Sequence, residues 1–377
     1  MSASLETLNT PAAIIDVARM HRNIARMQAR ADRLGVRLRP HVKTSKCLQV
    51  ARAQIAAGAS GITVSTLREA EAFFADGITD ILYAVAMAPS KLDQAWALRR
   101  RGCSLKIITD SVLGAQAMVD FARSHRASFE VYIEIDSDHH RSGVRSDDPL
   151  LIEIAKVLHD GGLTLVGVLT HAGESYKLDT PQALQALAEV ERRECVAAAQ
   201  AIRAAGLPCP EVSVGSTPTA LSAADLAGVT ELRAGVYVFF DLVMLNIGVC
   251  AMPELALSVL TTVIGHQPQK GWIITDSGWM AMSRDRGTQS QARDFGYGQV
   301  CAADGTPIEG LLLSSTNQEH GVASHESVEC DVLERYPIGT RLRILPNHAC
   351  ATGAQFPGYE ALEEDGSLRR WGRLHGW

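Results

Sequence analysis

Eight strand-like segments separated by helical stretches constrain this chain more than any other feature. They are RLRPHVK, GITVST, DILYAV, LKIITD, FEVYIEID, LVGVLTH, PEVSVGS and ELRAGVYV. Between them lie Ala- and Leu-rich runs with helical periodicity, such as Arg68 to Gly77 and Pro181 to Gly206, each ended by a glycine suited to a helix C-cap. Alternating strands and helices imply parallel strands joined by right-handed crossovers, and eight repeats suit closure. The expected fold is therefore α/β, an eight-stranded TIM-type barrel over residues 17–245. An open doubly wound sheet is the competing arrangement, but it would spread the polar strand ends from Lys43 to Tyr237 along an edge.

After about Asn246 the texture changes. LALSVLTTVIGH, GWIITDSG, GLLLSSTNQEHG and GTRLRILP are strand-like, separated by Gly, Pro and Asp, with no long helical pattern. A mainly β domain is expected at 246–377, and the strand-like start, ETLNTPAAIIDV, adds residues 1–16 to it by pairing with the C-terminal sheet.

With 46% hydrophobic and 21% charged residues the composition is that of an ordinary globular protein, and no apolar run approaches the roughly 20 residues that cross a bilayer. A start lacking the basic-then-apolar pattern of a secretory signal points to the cytoplasm. A net charge of −6 argues against a nucleic-acid partner. The eight cysteines show no CxxC spacing, which fits reduced thiols.

Barrel enzymes carry reactive groups at the C-terminal ends of their strands. Lys43 stands there after alternating Leu38, Pro40 and Val42, crowded by His41 and Lys46, and like charges favour the neutral amine that forms a Schiff base. A solvated surface lysine is the plain alternative. Gly215 to Thr219 ends a strand and is rich in glycine and hydroxyls, as a small phosphate cradle or a capped turn would be; it matches neither nucleotide-loop motif. His171 ends the sixth strand with Tyr176 five residues on, either beside a planar ring or as a core histidine. Strand alternation places Arg233, Gly235 and Tyr237 on one face.

His348 and Cys350 are two apart, so on an extended segment both face one side and can grip a borderline-soft ion such as zinc. No further CxxC or HxxxH supplies a closed cage, so any ion would keep open positions; a buried cysteine beside an unrelated histidine is the alternative. The crowd of Glu134, Asp136, Asp138, His139, His140 and Arg141 reads as an ion-pair network rather than ligands.

Taken jointly, TPAAIID, RPHVKTSK, THAGESY, VGSTPT, LRAGVYVFFD, DFGYGQV, NQEHG and PNHACATGAQ resemble the fold-type III pyridoxal-phosphate enzymes. This is the alanine racemase-like barrel group, and within it the chain is similar, nearly end to end, to the branch of D-serine and D-threo-3-hydroxyaspartate dehydratases. The resemblance implies a homodimer with pyridoxal 5'-phosphate in the barrel and Lys43 as the Schiff-base lysine. It also implies His171 against the pyridine ring, Gly215, Ser216, Thr217, Gly235 and Tyr237 around the phosphate, Tyr176 close by and Arg233 near the pyridine nitrogen. By the same resemblance His348 and Cys350 hold a divalent metal, zinc, with Mn2+, Co2+ or Mg2+ as alternatives.

The implied reaction is dehydration of a small D-hydroxyamino acid: D-threo-3-hydroxyaspartate to oxaloacetate and ammonia, and D-serine to pyruvate. D-3-hydroxyaspartate and D-threonine aldolases look similar but pair the histidine with aspartate in a HxDPT-like segment, whereas this chain has HACAT. A non-catalytic pyridoxal-phosphate carrier, the third reading, resembles the barrel alone. The chain shows no clear counterpart of a racemase's opposing tyrosine base.

Overall fold

The structure is a computed structural model that describes residues 4–326 and 332–377. The chain opens with β1 (Ala12–Asp16) and α1 (Val17–Arg33). Strands and helices then alternate: β2 (Arg37–Leu38), α2 (Leu48–Ala56), β3 (Ile62–Val64), α3 (Leu67–Ala75), β4 (Asp80–Ala86) and α4 (Leu92–Arg100). The series continues with β5 (Ser104–Thr109), α5 (Val112–His125), β6 (Glu130–Ile135), α6 (Pro149–Asp160), β7 (Thr164–Thr170), α7 (Pro181–Ala204), β8 (Glu211–Val214), α8 (Thr217–Ser222) and β9 (Glu231–Leu232). Strands β2 to β9 form one eight-stranded sheet in the order β2-β9-β8-β7-β6-β5-β4-β3. Every neighbouring pair in it is parallel.

The row closes on itself beyond the end of β2. The N–H of Ser60 bonds the Leu38 carbonyl at 2.9 Å, that of Thr63 the Pro40 carbonyl at 2.8 Å, and that of Val42 the Thr63 carbonyl at 2.9 Å. The barrel expected from eight alternations is thus formed, with its first strand tied directly to its second.

Local chemistry sets the helix starts. Thr66, Ser111, Asp148 and Thr180 are N-caps whose side chains accept from Glu69, Gly114, Leu150 and Ala183, each cap worth about 1 kcal/mol. Leu82, Ile108, Tyr132 and Leu169, one from each of β4 to β7, pack as a buried cluster with Ala84 and Val166. Nearer the strand starts an ion network replaces apolar packing. Arg39 donates to Glu231 at 2.7 Å and through both terminal nitrogens to Asp80 at 2.9 and 3.0 Å, and Lys106 adds a 2.6 Å pair to Asp80. Burial disfavours the Arg39 charge, but Glu231 and Asp80 outweigh it and raise its pKa further. Removing one member of such a buried set costs roughly 3–5 kcal/mol, because it strands the others.

The remaining elements are α9 (Leu242–Ile247), β10 (Leu257–Gln267), β11 (Trp272–Thr275), α10 (Trp279–Met282), β12 (Gly298–Ala302), β13 (Pro307–Thr316) and β14 (Gly321–His325). After them come α11 (Val332–Arg335), β15 (Arg341–Pro346), α12 (Ala349–Gly353), β16 (Gly358–Leu362) and β17 (Leu368–Gly372). They form a nine-stranded sheet in the order β11-β14-β13-β12-β15-β10-β1-β16-β17, and an added β10–β11 pairing closes six of these strands into a ring. β1 runs antiparallel to β10 and parallel to β16, so the first strand of the chain is built into the C-terminal sheet. By its internal contacts the chain divides into a unit of residues 25–235 with 376–377 and a unit of 1–24 with 236–375. Among the described residues no helix is long and apolar enough to cross a membrane.

One expected strand is cut short. ELRAGVYV pairs as far as Arg233, whose N–H bonds the Val214 carbonyl at 2.7 Å, and Ala234, whose carbonyl takes the His41 N–H at 2.8 Å. Val236–Val238 is then a single turn of 3-10 helix. The break falls at Gly235, where a Cβ would lie 3.1 Å from the His41 carbonyl oxygen and 3.2 Å from Thr44 Oγ1. Tyr237 accordingly shares no strand face with Arg233.

Candidate functional site

In the barrel unit, Lys43 follows the last ladder bond of the first strand and lies in the turn 42–45, half-buried. The turn is clipped in place three residues on. Lys46 Nζ pairs with Glu69 Oε1 at 2.9 Å, and Glu69, buried at the start of α3, also takes the Ser65 N–H at 3.2 Å and the Thr66 hydroxyl at 3.1 Å.

His171 leaves the end of β7. Its Nδ1 lies 3.0 Å from the Gly215 carbonyl, an acceptor, so the proton sits on Nδ1 and Nε2 is the open lone pair. Burial, then the Lys43 charge, pushes His171 down to about 3. His41 is likewise held well below the ordinary range, by burial first and then by Lys43, Arg233 and His171. His41 and Lys43 follow the end of β2 and His171 follows the end of β7, so the amine and both rings stand at the C-terminal ends of barrel strands, where the Lys43 charge acts on both rings. The Tyr176 ring is 6.2 Å from that of His171 at 50°. Arg233, 5% exposed, donates to Ser213 Oγ at 2.6 Å and to the Thr170 carbonyl; Ser213 in turn donates to Glu231 at 2.7 Å.

Between β8 and α8, Gly215 adopts φ +142°, and a Cβ there would sit 1.9 Å from the Arg233 carbonyl oxygen. Only glycine lets β8 pass so close to the Arg233 backbone. Ser216 caps α8 in a reciprocal box with Thr219 and also meets Ser175 Oγ at 2.8 Å. The N–H of Gly215 goes to Glu191 Oε1 at 2.9 Å and that of Ser216 to Thr219 Oγ1 at 3.1 Å. Two amides expected to face a phosphate are therefore used within the protein.

Glu191 was not singled out by sequence reasoning. It lies on the buried stripe of α7 with Leu184, Ala188 and Cys195, and this three-and-four spacing was the available signal. Burial pushes its carboxyl up to about 7, against the pull of bonds from Thr219, Ala172 and Gly215 and of the Arg233 charge. Lys43, His171, Tyr176, Gly215, Ser216, Thr217, Arg233 and Gly235 all belong to this unit, whereas Tyr237, fully buried, belongs to the other. The amine at a strand end, the neutral rings and the glycine-permitted backbone approach fit pyridoxal phosphate.

His348 and Cys350 come together by a route other than the extended segment expected. β15 ends at Pro346, His348 takes the N-cap position and Cys350 lies in the first turn of α12. His348 is nevertheless within hydrogen-bond reach of Cys350. His348 Nδ1 meets Asp285 Oδ2 at 2.6 Å, leaving Nε2 for a metal. Asp285 is a second residue that sequence spacing did not reveal. Asn347 braces this loop, donating to the Gly296 carbonyl at 2.7 Å and accepting from Thr288 at 3.1 Å. Asp241 accepts from Ala349 N–H at 2.9 Å and Met244 N–H at 3.0 Å.

Burial opposes the His348 charge but is outweighed by Cys350, then Asp285 and Asp241, so the imidazole is held up to about 11. Surroundings negative enough to retain that proton suit a divalent cation, for which imidazole and thiolate are a borderline-soft donor pair. Among the described residues no group of three or more His, Cys, Asp or Glu forms a metal cage. The acids near 134–140 are engaged elsewhere: Glu134 with Ser142 at 3.1 Å and Arg141 at 3.6 Å, and Asp138 with the Glu174 N–H at 2.8 Å.

Comparison with known proteins follows the same division. The family "Alanine racemase, N-terminal domain" matches residues 15–243, and "Putative serine dehydratase domain" matches 256–362. A D-threo-3-hydroxyaspartate dehydratase from Delftia sp. (strain HT23) is 68% identical over 380 residues, covering 100% of both chains. A D-serine dehydratase from Dictyostelium discoideum is 29% identical over 383 residues, covering 97% of this chain and 96% of its own. Two solved structures of D-threo-3-hydroxyaspartate dehydratase, each 68% identical, superpose with TM-score 0.99; coverage is 100% of this chain with 98% of one and 100% of the other. One is a histidine-to-alanine variant; the other, a cysteine-to-alanine variant two positions further on, is the metal-free form.

Proposed function

Since the chain belongs to the alanine racemase-like family of pyridoxal-phosphate enzymes that carry a serine dehydratase domain, we propose that it dehydrates D-threo-3-hydroxyaspartate to oxaloacetate and ammonia. D-Serine, which yields pyruvate, is proposed as a second substrate. The observation that carries this reading is 68% identity, end to end, with a dehydratase of that first substrate.

Pyridoxal phosphate, when bound, draws electron density from the substrate Cα and so acidifies its proton. Lys43 is assigned to anchor the cofactor and, once released, to take the Cα proton on Nζ, which requires the neutral amine. His171, kept neutral by burial and by Lys43, offers the ring a flat face without a second charge. Arg233 is assigned to the ring nitrogen, to which its guanidinium would offer N–H donors. Gly215, Ser216, Thr217, Gly235 and Tyr237 are assigned to the phosphate, Gly215 and Ser216 through the turn they form, since their own amides are bonded to Glu191 and Thr219, and Tyr176 to the surroundings of the ring.

A divalent metal, when bound, acts as a Lewis acid on the departing β-hydroxyl. We assign it to His348 and Cys350 and take it to be zinc, with Mn2+, Co2+ or Mg2+ able to replace it. The support is the matching histidine–cysteine spacing in the relative whose cysteine variant is metal-free, together with Asp285, which fixes the His348 ring. One water's worth of atoms leaves as the Cα proton and the β-hydroxyl, and one water returns in the hydrolysis that frees ammonia. A cytoplasmic homodimer completes the proposal; cysteines without paired spacing support the reducing compartment.

Product analysis of the protein loaded with pyridoxal phosphate and zinc tests the reaction. Oxaloacetate from D-threo-3-hydroxyaspartate and pyruvate from D-serine, each with stoichiometric ammonia, are expected. Glycine without ammonia would replace the dehydratase by an aldolase.

A further inference from the structure

Glu191 is a buried carboxylate with no part in the proton transfers above. It is 2% exposed in the middle of α7, where an apolar side chain would fill the stripe at no electrostatic cost. One oxygen, Oε1, accepts two backbone N–H groups, that of Ala172 at 3.2 Å and that of Gly215 at 2.9 Å, and the Thr219 side chain bonds the same carboxylate.

These two amides occupy telling positions. The β7–β8 ladder runs through Gly167–Glu211, Val168–Val212 and Leu169–Ser213, where the pairing stops. Beyond that point side chains span the gap between the strand ends. The His171 ring crosses to the Gly215 carbonyl at 3.0 Å, Ser175 meets Ser216 at 2.8 Å, and Glu191 holds one amide on each side. Ala172 directly follows His171, and Gly215 is the residue whose carbonyl receives His171 Nδ1. The carboxylate therefore closes a loop of hydrogen bonds through both ends of the histidine's anchorage.

We propose that Glu191 is a positioning residue for the cofactor. It fixes the opening between the ends of β7 and β8, and with it the angle of the His171 ring and the setting of the Gly215–Thr217 turn. This rests on the pyridoxal-phosphate reading above. Truncating Glu191 leaves two buried N–H groups without their acceptor, and the two strand ends that flank the cofactor lose their common tie. Glutamine keeps an oxygen at the same reach, so the amide preserves both bonds; aspartate keeps the charge but falls one methylene short.

The test uses holoenzymes of the wild type, Glu191→Gln, Glu191→Asp and Glu191→Ala. For each, the visible circular dichroism of bound cofactor, the rate of cofactor loss on dialysis and thermal unfolding are measured. Glu191→Ala is expected to halve the visible dichroism and release cofactor about tenfold faster, Glu191→Asp to shift both the same way, and Glu191→Gln to stay within about twofold of wild type. Folded Glu191→Ala with wild-type dichroism and release overturns the proposal, even if its melting temperature falls. Should Glu191→Ala fail to fold, Glu191→Asp decides in the same way. Glu191→Gln behaving as badly as alanine overturns the hydrogen-bond argument. A wild type with no visible cofactor signal overturns the pyridoxal-phosphate reading itself, which separates the two failures.

Discussion

Replacing Gly215 by alanine should separate backbone strain from steric exclusion at the end of β8. At φ +142° an L residue is strained, a term of roughly 1–3 kcal/mol. The added Cβ would also stand 1.9 Å from the Arg233 carbonyl oxygen, 2.8 Å from its carbonyl carbon and 2.9 Å from its nitrogen. All three are backbone atoms, so no rotamer change relieves the overlap. The Arg233 backbone cannot yield freely either, because its N–H is bonded to Val214 at 2.7 Å. Overpacking of this kind adds roughly 1–3 kcal/mol, for a total of about 4 kcal/mol.

Gly206→Ala is the control. Gly206 has φ +81°, yet nothing lies within 4 Å of its notional Cβ, so that variant carries only the backbone term, about 1 kcal/mol. Urea unfolding of the two variants and wild type should therefore place Gly215→Ala about 3 kcal/mol below Gly206→Ala at unchanged slope. The His171 anchor moves with Gly215, so cofactor retention should fall in Gly215→Ala alone. Equal destabilisation of the two variants would refute the steric reasoning.

Lys43→Ala should remove the visible absorption of bound cofactor, and an unchanged band would sink the assignment of this lysine. Cys350→Ala should cut activity by orders of magnitude with cofactor retained, an assignment that full activity in metal-free buffer would exclude. Asp285→Asn should weaken metal binding about 10- to 100-fold in a direct titration, because the His348 ring loses the carboxylate on Nδ1; unchanged affinity would show that the ring is oriented otherwise. Glu191 titrates near 7 when folded and from the ordinary 4.5 when unfolded, so the folded state binds the extra proton between those values. Wild type should accordingly lose about 3 kcal/mol relative to Glu191→Gln as pH rises from below 4.5 to above 7. Urea midpoints at several pH values check this, and a difference that stays flat with pH would falsify it.

The architecture was legible because both layers obey local rules: helical stripes ended by glycines, strands bounded by turn residues, and eight alternations that can close. Strand length was less legible. The alternating ELRAGVYV reads as one strand, but Gly235 meets the His41 backbone and the chain turns before Tyr237. The HxC spacing suggested two ligands facing one way from a strand, yet the pair is gathered across a helix cap after Pro346.

The supporting carboxylates were harder to see for two separate reasons. Asp285 lies 63 residues from its histidine, beyond any local pattern. Glu191 carried a local signal, but an acid within ALAEVERRE reads as a solvated face unless its register with Leu184, Ala188 and Cys195 is followed.

The place of β1 between β10 and β16 has a consequence for synthesis. AAIID leaves the ribosome well before its partners, because its antiparallel partner is complete only at Gln267 and its parallel partner only at Leu362. At roughly 5–20 residues per second, about 10 to 50 s pass before the first of these partners exists, and longer before the second. For that interval an apolar segment with both hydrogen-bonding edges unsatisfied travels ahead of a barrel whose strands arrive in sequence. A chain stalled or truncated before β10 would carry that segment without either partner, a route to association between nascent chains.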